Sequence, residues 1–207
     1  MHWYIIVSIA ALLTCLISCL YHFIRLIRLG APGDFSQRMG NTARAVKYSF
    51  TGAMSPGKKE SAFLHLPTYT AGLVYHTGTF LAIILFFFNL AAYETGTVAT
   101  YILSAVLLAG ALSGTGILIK RITISKLRSL SCADDYISNI LVTAFQYISI
   151  LQLTGSIPGA VYFMTAGLLL LYVPLGKLRH LIYFFAARYQ LGFFYGWRNS
   201  WPPSKNY

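Results

Sequence analysis

AVYFMTAGLLLLYVPLGKLRHLIYFFAARYQLGFFYGWRNSWPP, residues 160–203, decides how this chain is read. It opens as an unbroken apolar run. It then passes abruptly, through Pro174, Lys177, Arg179 and His180, into a basic tail rich in aromatic residues. An apolar run of helical length that stops at cations is suited to crossing a bilayer and ending at its surface. A histidine at that edge, flanked by cations, marks a candidate functional position.

The composition of the whole chain points the same way. It is 57% hydrophobic and only 10% charged, against roughly a quarter charged in soluble domains, so a water-facing surface cannot be built from it. The 16 Lys and Arg against 5 Asp and Glu would suggest nucleic acid in a soluble protein. Here the cations collect at the ends of apolar segments, which excludes that reading.

Five segments are predicted to span the membrane, giving an all-α bundle in a single domain: helices over about 3–24, 69–93, 98–119, 136–154 and 157–187. A loop over 25–66 and a tail over 188–207 complete it. The first segment has no basic residues before it and no small-residue cleavage site after it, so it is expected to be retained. All 16 cations fall in the 25–66 loop, around 120–128, or from Lys177 onward, at the inner end of the fifth segment and beyond; the connections at Glu94-Thr95-Gly96 and Gly155-Ser156 have none. By the positive-inside rule the N-terminus is outside and the C-terminus is cytoplasmic. The long loop is expected to lie on the anionic inner leaflet or to dock a cytoplasmic partner.

Several chemistries are absent from the sequence. There is no Walker loop, HExxH or GxSxG, and Cys15, Cys19 and Cys132 form no CxxC pair. The acids Asp34, Glu60, Glu94, Asp134 and Asp135 stand in loops or at helix ends, which argues against an ion path built on buried carboxylates. Gly110 and Gly114, four apart, predict close helix packing or a smooth face beside a flat cofactor. Gln146 and Gln152 are read as interhelical hydrogen-bond partners.

The histidines carry the functional argument. His76 lies inside the second segment with apolar residues on both sides, and an ionisable residue there is a candidate site. Gly72, Thr77 and Gly78 beside it leave room for a flat macrocycle. A neutral imidazole is a haem iron ligand, and two on facing helices make a six-coordinate, electron-transferring haem. His180 is the natural partner. Counted from the outer ends, His76 lies 18 residues from Glu94 and His180 lies 23 from Ile157, a mismatch of about 7 Å at the helical rise. For His65, 29 from Glu94, the mismatch is about 9 Å. Depth does not choose between His76 and His65; position within the helix and small neighbours favour His76, with His65 the alternative ligand. Lys177 and Arg179 are suited to haem propionates, though they equally satisfy the positive-inside pattern. Further candidates are His22, at the inner end of the first segment, and Tyr69, Tyr75 and Tyr183, as hydroxyl partners for a quinone.

The run PLGKLRHLIYFFAARYQ, Pro174 to Gln190, with the tail LGFFYGWRNSWPP, resembles the last helix of the cytochrome b membrane subunit, or gamma chain, of respiratory nitrate reductase. It is more similar still to related membrane subunits of dissimilatory sulphite-reductase-linked, quinone-interacting, heterodisulphide-reductase-like and high-molecular-weight cytochrome complexes. The five-helix plan and chain length agree with that family; the last forty residues carry most of the specificity. The family typically holds two b haems on paired histidines of the second and fifth helices. By position, His180 matches the fifth-helix ligand nearer the cytoplasm, and His76, in VYHTG, its second-helix partner. Phe86 and Tyr162 stand where the outer haem's ligands would be, a departure that implies one haem b, on the cytoplasmic side.

The resemblance implies a redox subunit in the cytoplasmic membrane of a bacterium or archaeon. It would pass electrons between menaquinone or another quinone and a cytoplasmic iron–sulphur subunit of a heterodisulphide-reductase-like type. That subunit would dock on Arg121, Lys126, Arg128 and Arg198. The alternative is a non-haem structural anchor or assembly subunit, in which both histidines only pack.

Overall fold

The computed structural model describes residues 2–30, 33–58 and 64–203; Pro32, Lys59, Glu60 and Lys205 lie outside them. Every regular element among the described residues is helical. In chain order they are α1 (Trp3–Arg28), α2 (Thr42–Phe50), α3 (Leu66–Leu90), α4 (Thr97–Thr123), α5 (Ser125–Ser129), α6 (Ala133–Leu153), α7 (Gly159–Tyr172) and α8 (His180–Trp197). Short 3₁₀ turns lie at Gly52–Met54, Pro56–Lys58 and Lys177–Arg179. α1, α3, α4 and α6 are long and apolar enough to cross a membrane, and a fifth span is present if α7 and the Lys177–Trp197 segment count as one broken helix.

Two expectations change. The fifth helix is not continuous over 157–187: α7 stops at Tyr172 and helix resumes only beyond Gly176. Pro174 has no N–H to give to the carbonyl four residues back, and its ring crowds that carbonyl. The Leu175 and Gly176 amides instead turn back onto the Tyr172 carbonyl at 3.1 and 3.0 Å. The expected tail begins in helix, because α8 runs on past residue 188 to Trp197.

The chain divides into two compact units. The first comprises the chain up to Ile17 together with Pro67–Leu178; the second comprises Ser18–Leu66 and Arg179 onward. The first unit is built on a core of Leu85, Phe86, Leu107, Phe145, Tyr162 and Phe163, all buried. Beside it small residues let three helices close in. A Cβ on Gly110 of α4 would lie 2.4 Å from Gln146 Oε1 and 2.9 Å from the Gly78 Cα of α3. Gln146, fully buried on α6, donates to Thr79 Oγ1 at 2.9 Å and to the Tyr75 carbonyl at 3.3 Å. Interhelical bonding is thus the role of Gln146. Gly110 and Gly114 face packed side chains rather than a smooth cofactor face.

At one end of this unit, the first turn of α6 gathers charge. Asp135 accepts from Arg121 at 3.1 Å, from the Lys177 ammonium at 2.7 Å and from the Cys132 amide at 3.0 Å. Asp134 accepts from the Lys177 amide at 2.7 Å, from Ser138 at 3.2 Å and from the Tyr172 hydroxyl. Two carboxylates at a helix N-terminus suit the helix dipole, and here they also tie together the ends of α4 and α7.

The second unit is where the long loop goes. Asn41 caps α2, accepting from the Arg44 amide at 3.0 Å. Ala45 and Ser49 of α2 are buried against Gly192 and Gly196 of α8; a Cβ on Gly192 would lie 2.5 Å from the Val46 Cα. Ser49 Oγ donates to the Arg188 carbonyl at 2.7 Å, and Trp197 Nε1 to the Ser36 carbonyl at 2.7 Å. Arg198 meets Asp34 at 2.5 Å while its guanidinium lies 3.8 Å from the Phe194 ring centroid.

Asp34 makes this loop sensitive to pH. Hydrogen bonds from the Ser36 side chain and amide, then Arg198, hold its carboxyl below the usual carboxylate range. Its contribution is therefore complete above the ordinary aspartate pKa near 4 and is lost as pH falls through the lowered folded value. Protection of the amides over residues 34–40, measured against the intrinsic exchange rate at each pH, is expected to fall on acidification through that range. In Asp34→Asn that protection should already be low at neutral pH and should not fall further in acid.

Candidate functional site

His76 sits about two-fifths of the way along α3, exposed at the surface of the first unit. Its Nδ1 lies 2.8 Å from the Gly72 carbonyl oxygen, one turn earlier. A carbonyl oxygen only accepts, so Nδ1 is the donor, and in the neutral ring the lone pair is on Nε2. Gly72 has open space where a Cβ would be. The Phe80 ring, one turn on, is 6.4 Å from the imidazole. The face around Nε2 is therefore apolar and lacks a side chain at Gly72. Gly78, read from sequence as part of that space, instead turns inward onto Gly110 and Gln146.

His180 opens α8 and is exposed, and it belongs to the second unit. The two predicted ligands thus fall one in each unit. Arg179 precedes His180, is exposed, and has no carboxylate partner among the described residues. Lys177 differs: its ammonium is paired with Asp135 at 2.7 Å. His65 is exposed, just before α3 begins. His22 is half-buried in the second unit, its ring 6.3 Å from that of Tyr183.

The tyrosines separate as well. The Tyr75 hydroxyl is engaged inside the first unit, 3.1 Å from the Asn139 carbonyl and 3.1 Å from Thr143 Oγ1. Tyr183 remains 38% exposed, which leaves it available. Of the four docking cations, Arg121 and Arg198 are tied to Asp135 and Asp34, whereas Lys126 and Arg128 are exposed on α5 without ion pairs among the described residues.

Phe86 and Tyr162 are 3% and 0% exposed. Tyr162 stacks on Phe145 at 5.6 Å and Phe86 meets Phe163 edge-on at 6.1 Å. Aromatic side chains fill that part of the core. The charge cluster at Asp134 and Asp135 was not found from sequence. An Asp pair opening an apolar helix was its only signal, and the partners on α4 and beyond α7 are not local to it.

No family model, curated protein or solved structure matches this chain. What can be said of its function rests on the geometry above and on the residues that carry the resemblance.

Proposed function

We propose that this chain is a haem b membrane anchor that passes electrons between the membrane quinone pool and a cytoplasmic iron–sulphur partner subunit. The observation that carries the reading is His76. It is an imidazole within a membrane-length apolar helix, with Nδ1–H bound to the Gly72 carbonyl and Nε2 open on an apolar face. Metal-binding histidines commonly donate their second nitrogen to a backbone carbonyl, which fixes ring orientation and raises the basicity of the ligating nitrogen. As the resemblance implies, His76 and His180 would be the axial ligands, and Arg179 the cation for a propionate. When bound, haem supplies a one-electron carrier.

The chain's own residues orient, insulate and dock. Gly72 holds the His76 tautomer. The packing of Phe86 and Tyr162 into the core supports one haem rather than two. Tyr69 and Tyr183 would be hydroxyl partners for a quinone. Lys126 and Arg128 offer uncommitted positive charge to an acidic partner face. The cation distribution supports an outside N-terminus and a basic cytoplasmic side; a bacterial or archaeal cytoplasmic membrane is what the resemblance implies.

A reduced-minus-oxidised spectrum of the purified chain is expected to show a b-type α-band, with one haem per chain by pyridine haemochrome. Two haems per chain would overturn the single-haem assignment. With no band at all, the chain is a non-haem structural anchor.

A further inference from the structure

The second unit carries an open groove of about 470 Å³ that the proposed electron transfer does not use. Its walls are Phe23, Leu26 and Ile27 of α1, Phe50 of α2, and Phe185 and Tyr189 of α8. Every wall is apolar apart from the Tyr189 hydroxyl and the neighbouring Gln190. It is too small for a helix, whose diameter with side chains is about 10–12 Å, and has the size and lining of a small-molecule site.

Three observations identify what fits it. First, depth: Phe23, Leu26 and Ile27 bracket Arg25, where the apolar run of α1 gives way to Arg25 and Arg28. The groove therefore lies where a membrane span reaches the head-group layer. Second, charge: the described residues of this unit hold nine Lys and Arg but one acid, Asp34, and Arg198 already occupies it. Third, placement: Lys47 is exposed one helical turn before Phe50, on the same side of α2, with no carboxylate partner among the described residues. An apolar slot at head-group depth, beside an unpaired cation on a strongly basic unit, matches an amphiphile with an apolar chain and an anionic head.

We infer that this groove binds one anionic phospholipid, an acyl chain lying between α1 and α8 and the phosphate within reach of Lys47. The site would hold the lipid in a defined place instead of leaving it in the bulk bilayer, and it is independent of any haem.

Native mass spectrometry of the delipidated chain in detergent tests this, with dioleoyl phosphatidylglycerol or dioleoyl phosphatidylcholine added at equal concentration. One phosphatidylglycerol per chain is expected to survive activation, in preference to phosphatidylcholine. Lys47→Glu should lower phosphatidylglycerol retention about fivefold or more, as expected for the loss of one cation near a lipid phosphate, and leave phosphatidylcholine unchanged. Ala186→Trp, which fills the groove, should remove the bound lipid. If that variant does not fold, a phosphatidylglycerol with a diazirine on its acyl chain, added to the unmodified chain, should label peptides containing Phe50 and Tyr189. The inference is overturned by equal retention of the two lipids, by wild-type retention in Ala186→Trp, or by labelling confined to other segments. Displacement by an equimolar quinone would overturn it too, since the groove would then be a site for an isoprenoid tail.

Discussion

Replacing His76 with alanine is expected to abolish the b-type α-band completely. The Nε2 lone pair is the atom at stake, and alanine offers no other donor at that depth of α3. The change is clean because His76 is exposed and lies outside the buried core. Truncating it opens no core cavity, and the bond it loses is to a carbonyl already inside a helix. Loss of the band with unchanged helical dichroism therefore reports ligation rather than unfolding. His180→Ala should do the same, since His180 is also exposed, at the start of α8. His65→Ala should keep the band, because His65 stands before α3, 11 residues or about 16 Å along the helix from His76. If His65→Ala loses the band and His76→Ala keeps it, the ligand assignment is reversed.

Gly110→Ala is expected to be the most destabilising single-methyl change in the first unit. The new Cβ would lie 2.4 Å from Gln146 Oε1 and 2.9 Å from the Gly78 Cα. The Gly78 contact is backbone and cannot swing aside. The Gln146 side chain is fully buried and held by its bonds to Thr79 and the Tyr75 carbonyl. Relief must come from separating α3 and α4, at the upper end of the 1–3 kcal/mol typical of overpacking, which for a chain of this size is a fall in melting midpoint on the order of 10 °C. Gly116→Ala, six residues along the same helix, meets nothing within 4 Å. Its midpoint should hold or rise slightly, because alanine favours helix over glycine. Thermal melts followed by circular dichroism in detergent distinguish the two. Equal shifts would show that the α3–α4 approach is looser than the structure has it.

The sequence was most informative where the solvent imposes the rule. Any helix that enters hydrocarbon must be apolar over about 20 residues, and four such runs stand within a few residues of α1, α3, α4 and α6. Gln146 was legible for a related reason: a buried amide inside an apolar helix must find a partner on another helix. The fifth segment was misread as continuous because hydropathy averages over Pro174, whose effect is confined to one missing amide and one crowded carbonyl.

The residues nearest the candidate site show how far that legibility extends. His76 could be found because an ionisable residue is conspicuous among apolar ones. Its tautomer could not, since that depends on the rotamer that brings Nδ1 to the Gly72 carbonyl. Tyr75 and Tyr183 look alike in sequence. Only packing commits one hydroxyl to Asn139 and Thr143 and leaves the other exposed. Lys177 and Arg179 likewise look alike, two residues apart in a basic run. Asp135, 42 positions earlier than Lys177, takes the first and not the second.

By itself, then, the sequence determined the solvent of this protein, its helical class, where its cations collect and which histidine stands in an apolar span. All of these follow from local composition and from the energy of burying charge. The tertiary structure alone decided that the long loop folds onto α8, that Gly192 and Gly196 are there to admit α2, and which charges are already spent on one another. Those outcomes depend on distant residues meeting at a few ångströms, and no local pattern encodes such a meeting.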